Sequence, residues 1–144
     1  MVDILHRVGV QASVDDVSKA LTTIDGLAGW WTEDTQARDD VIAFRFGDVG
    51  GFDMKVLETA PGKLVHWEVV DGPPEWIGTR IRFDLSQEEE YAIIMFRHEG
   101  WAEQVPFMYH CSTKWATFLM SLKKLVETGS GEPAPNDVQV SNWH

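Results

Sequence analysis

The sequence is poor in cysteine. Cys111 stands alone, so no disulfide can close within the chain, which fits a reducing compartment. No apolar run approaches the ~20 residues of a membrane span. Asp3 falls among the first residues with no apolar signal core behind it, so no export signal is visible. A cytoplasmic, soluble protein is expected. Basic residues are scarce too: 12 Lys and Arg against 23 Asp and Glu give a net charge of −11. Phosphate binding needs a basic face, so nucleic acid and anionic membrane surfaces are both disfavoured. Paired metal-ligand spacing is also missing. The five histidines and Cys111 are scattered, and adjacent His110 and Cys111 would diverge on most backbones. Gly47–Gly51 joins two expected strands and precedes no helix, so it is no phosphate loop. Neither a metal nor a cofactor is implied.

What the chain has in plenty is tryptophan, seven in 144 residues. That length suits one domain, with 1–129 as the folded unit and the turn-rich 130–144 as a flexible tail from which Val138, Val140 or Trp143 could dock. Ser112 to Thr128 reads as the organising helix. Trp115, Phe118, Leu119, Leu122, Leu125 and Val126 recur in steps of three and four, and Gly129 stops the run. Ile4 to Ala12 alternates as a half-buried strand. Ser13 is then placed to cap a helix that turns Val17, Ala20 and Leu21 inward. A second short helix opens at Asp25 and ends at Trp30-Trp31. Strands follow at Val41–Phe46, Phe52–Thr59, Leu64–Val70, Thr79–Ser86 and Tyr91–His98. The links between them are too short for crossover helices, so the sheet should be antiparallel. In Gly100–His110, Pro106 argues against a simple helix, and a short irregular or helical segment packed at the mouth of the fold is expected.

This order is that of a helix-grip fold, and local residues agree. Val10–Val17 followed by Leu27-Ala28-Gly29-Trp30-Trp31-Thr32 resembles the opening of the C-terminal domain of the Hsp90 ATPase activator family, within the START-like superfamily. Val56–Trp67 resembles that family's central hairpin, His98-Glu99-Gly100 its strand end, and Trp115 with Leu119, Leu122 and Glu127 its last helix. The chain departs from the family at Val14, where proline is frequent, and at Lys114, where glycine is usual. The resemblance implies an α+β fold, a curved antiparallel sheet of six or seven strands gripping the C-terminal helix, with two short helices after the first strand.

In such a fold the helix need not fill the concavity. Trp30, Trp31, Phe44, Trp67, Trp76, Phe83, Phe96, Met108, Trp115 and Leu119 are then candidates to line a cavity for a small hydrophobic ligand. His98, on the inward side of its strand, is the best polar candidate there. The competing reading is that the rings interdigitate as core and His98 is bonded to a neighbour. His66 and Glu68 share a face expected to be solvated, because the larger apolar set Val65, Trp67 and Val69 should take the interior. No catalytic residue is assigned, and Cys111 is expected to be buried and inert. Three functions stay open: small-molecule binding, a chaperone-directed interaction module as the resemblance implies, and an enzyme like the polyketide cyclases and dehydratases of the same superfamily. A monomer or a homodimer is equally compatible.

Overall fold

The computed structural model describes residues 1–144. The chain runs β1 (Val2–Val10), α1 (Val14–Thr22), α2 (Ile24–Trp30), β2 (Asp34–Arg38), β3 (Val41–Arg45), β4 (Gly51–Ala60), β5 (Leu64–Asp71), β6 (Arg80–Glu88), β7 (Tyr91–Trp101) and α3 (Pro106–Thr128). All seven strands form one antiparallel sheet in the order β1-β7-β6-β5-β4-β3-β2. Strand alternation decides its inner face. Ile4 and Val10 of β1, Phe96 of β7, Ile81 and Phe83 of β6, and Val65, Trp67 and Val69 of β5 are all buried. Phe83 sits opposite both Val65 and Phe96, so the large rings meet in the middle of the sheet.

α3 turns Trp115, Phe118, Leu119 and Leu122 onto this core, with Trp115 only 2% exposed. The short helices cover one end. Ser13 caps α1 by accepting from the Asp16 N–H, Thr23 caps α2 by accepting from Gly26, and Val17, Ala20 and Leu21 are buried as expected.

Three local expectations fail. β2 was not anticipated, since in Asp-Thr-Gln-Ala-Arg only Thr35 is buried and no apolar alternation marks the strand. β7 continues past His98 to Trp101. Pro106 does not break the final helix but begins it, because the first helical residue needs no N–H and proline's fixed φ suits that position. α3 therefore starts six residues before Ser112, and Met108 and Cys111 join its buried side.

Residues 130–144, read from composition as a flexible tail, follow a defined path. Gly129 takes the left-handed conformation that ends α3. A Cβ on Gly131 would stand 2.4 Å from the Gly29 carbonyl oxygen, so the chain squeezes past α2 only without a side chain there. Ala134 then exchanges backbone hydrogen bonds with Trp31 and Glu33. Further on, Asp137 pairs with Lys114 at 2.6 Å and Trp143 lies beside Phe107 and His110.

Candidate ligand-binding site

The interior of the grip is mostly filled. Trp30 stacks on Trp31 at 5.3 Å, Trp67 meets Phe83 edge-on at 5.4 Å, and Phe83 and Phe96 do the same at 5.3 Å. These are the offset and T-shaped arrangements that aromatic quadrupoles favour. Phe44, Trp67, Phe83, Phe96 and Leu119 belong to this packed centre and line no large void, as do Trp30 and Met108. The ring set thus divides: most of it is core.

His98 is sealed within the same centre, with no exposed surface. Its hydrogen bonds fix its tautomer. An indole N–H can only donate, so Trp115 Nε1 donates to His98 Nδ1 at 3.1 Å, and the ring proton must sit on Nε2. His98 Nε2 donates to Thr79 Oγ1 at 2.8 Å, and Thr79 Oγ1 donates to the Trp76 carbonyl at 2.5 Å. Burial pushes the His98 pKa down to about 3. With both nitrogens engaged and the ring neutral, it ties β7, α3 and the β5–β6 loop together. Glu99, next in sequence, points to the outer face and reaches His66 at 3.2 Å. His66 and Glu68 both lie on that outer, partly solvated face.

Space opens at one end, where α3 meets the β3–β4 and β5–β6 turns. A cavity of about 190 Å3 lies there, partly open to solvent. Trp31, Trp76 and Trp115, three of the residues anticipated from sequence, form its walls with Phe46, Phe52, Phe107 and Phe118. Phe52 and Trp76 stack at 4.5 Å, and Trp76 is close to parallel with Trp115 at 6.1 Å, so neighbouring wall rings brace one another.

Among the lining residues that sequence reasoning missed are His110, Cys111, Lys114, and Asp137, Trp143 and His144 of the tail. Asp137 Oδ2 bonds Lys114 Nζ at 2.6 Å and His144 Nε2 at 3.2 Å. Burial holds His110 below the ordinary imidazole value, with the Lys114 and His144 charges adding to it, and its Nδ1 contacts Ser141 Oγ at 2.7 Å. Cys111 is 5% exposed, and burial pushes its thiol up to about 12, so it is not a thiolate nucleophile at neutral pH. Two polar atoms of the lining residues are buried without any hydrogen-bond partner, Trp76 Nε1 and Asp137 Oδ1. No group of three or more His, Cys, Asp or Glu is arranged to hold a metal.

A curved seven-stranded antiparallel sheet clasping a terminal helix, with two short helices after the first strand, makes this a helix-grip protein of the START-like class. Residues 11–127 match the family described as Activator of Hsp90 ATPase homolog 1-like protein, and the chain belongs to that family. Among solved structures it is similar to the Aha1 dimer of Colwellia psychrerythraea, with 44% identity and a TM-score of 0.83 over 91% of this chain and 100% of that one. The protein SSP2350 of Staphylococcus saprophyticus shares the fold at 16% identity, TM-score 0.74, covering 90% and 95% of the two chains. So does CalU16 of Micromonospora echinospora at 21% identity, TM-score 0.69, covering 92% and 77%. No curated protein matches the chain. No helix is long and apolar enough to cross a membrane.

Proposed function

We propose that the protein binds a small, flat, mostly apolar molecule in the aromatic cleft at the open end of the grip. The observation that carries this reading is the cavity of about 190 Å3 lined in part by Trp31, Phe52, Trp76 and Trp115. A void of ~150 Å3 lined by apolar groups is enough to take benzene, so one ring or two fused rings fit the space. Each Å2 of apolar ligand surface taken from water contributes ~25 cal/mol, and the partner groups are already in place. The test is a titration with toluene followed through the tryptophan indole N–H signals. Trp31, Trp76 and Trp115 should shift together while Trp67 stays fixed. No shift at millimolar concentration with toluene or with an arene of the same size that carries a polar group would remove the reading.

A second reading has its own support. Family membership and the 44% identity to an Aha1 protein favour an interaction module directed at Hsp90. Its measurement is the ATPase rate of a cognate Hsp90, and an unchanged rate at saturating protein would dismiss it. The dimeric state of the Colwellia relative also supports a homodimer here. Light scattering on the eluted protein reads this directly, with a monomer mass as the contrary outcome.

A further inference from the structure

Resting on the cleft as the binding site, we infer that its occupant is an aromatic ring bearing both a hydrogen-bond donor and a hydrogen-bond acceptor, of the hydroxyarene type. The cleft's walls are rings, yet two of its lining residues carry unmet polar demands of opposite kind. Trp76 Nε1 is a donor that meets no oxygen or nitrogen acceptor, and the Cys111 thiol it approaches is only a weak one. Asp137 Oδ1 is an acceptor with nothing to accept from, on a side chain only 2% exposed. Leaving such groups buried and unpaired is unfavourable, the more so for a charged one.

The rest of the corner is already satisfied. Asp137 Oδ2 is held by Lys114 and His144, and Lys114 Nζ also donates to the Val138 and His144 carbonyls. A ligand cation would find Lys114 beside the carboxylate, so charge repulsion disfavours it. A neutral O–H or N–H donor does not meet that repulsion. Trp101 Nε1 is the third unpaired buried side-chain atom, but it does not line the cleft and is not recruited.

The experiment compares three probes of similar ring size. Toluene has neither group, anisole accepts only, and phenol both donates and accepts. Phenol should bind about tenfold or more tightly than either of the others, the effect of a hydrogen bond to a charged acceptor. In the same titration the Trp76 indole proton should move downfield with phenol and not with toluene. W76F, which keeps an aromatic wall but lacks the N–H, should narrow the gap between phenol and toluene. If W76F does not fold, the Trp76 signal of the unaltered protein carries the test alone. Phenol binding no tighter than toluene, with both bound, would overturn this inference and leave the apolar cleft standing. Failure of all three probes would overturn the cleft itself.

Discussion

The two ends of the helix-grip use the same residue type differently. In the closed centre, Trp30 stacks on Trp31 and its Nε1 donates to the Ala20 carbonyl at 2.9 Å, and Trp115, which reaches from that centre to the cleft wall, donates its Nε1 proton to His98. At the open end, Trp76 faces a cavity and its N–H has no partner. The difference shows what separates an aromatic core from an aromatic site. Ring count does not do it. Filled volume together with satisfied polar atoms marks structure, and unfilled volume beside an unsatisfied one marks a place for a ligand.

Truncation should expose that contrast most strongly. Phe83→Ala, in the filled centre, removes a ring in contact with Trp30, Trp67 and Phe96 and leaves a closed void; it should cost ~3–5 kcal/mol. Phe118→Ala, on the cleft wall, enlarges an opening that already exists and should cost less than ~3 kcal/mol. Urea unfolding of both variants checks the order, and equal costs would erase the distinction between the two ends.

His98 gives the next effect, read through pH. Its folded pKa of about 3 lies below the ordinary 6.5, so between those values the unfolded chain binds a proton that the native state refuses. Stability is therefore full above about pH 6.5 and falls as the pH drops toward 3, by up to about 1.4 kcal/mol per pH unit. His98→Gln can still accept from Trp115 and donate to Thr79, and it does not titrate. Its unfolding midpoint should lose less between pH 7 and pH 4 than that of the unaltered protein. Parallel curves for the two would show that His98 is not the buried base.

Much of this arrangement is legible in the sequence, and the failures have physical causes. Ile81, Phe83 and Leu85 alternate cleanly because β6 is buried on one face only, and Ser13 announces α1 through its side-chain oxygen. β2 is silent because an edge strand with one buried residue has no pattern to show. Pro106 misleads because proline means opposite things at the start and in the middle of a helix. Of the cleft, the ring walls can be anticipated but their partition cannot. Phe44 and Phe52 face each other across β3 and β4, yet only Phe52 lines the cavity. The polar corner is hidden altogether, since the Lys114–Asp137 contact joins residues whose pairing depends on how the tail leaves Gly129 and Gly131.

That corner invites a smaller perturbation. Asp137→Ala leaves Lys114, only 15% exposed, without its carboxylate. Breaking a buried pair in a rigid interior costs ~3–5 kcal/mol, but here the tail can lift away and rehydrate the lysine. The loss in global stability should thus be held to ~1–2 kcal/mol, while amide exchange across 131–144 speeds up. An unchanged exchange rate would mean that the Ala134 backbone bonds alone hold the segment.

The weakest effect supplies the control for that argument. Arg7 and Glu88 form an ion pair at 3.0 Å, nearly the spacing of Lys114 and Asp137, but their side chains are 59% and 61% exposed. Water already solvates both groups, so their attraction is screened and ordering two long side chains offsets most of it. Arg7→Ala should shift stability by less than ~0.5 kcal/mol, and that small shift should vanish in ~1 M salt, where the screening length falls to ~3 Å. A cost equal to that of Asp137→Ala would mean that burial is not what gives the tail contact its strength. Similar distances with unequal costs would place the difference in the solvent each pair has lost.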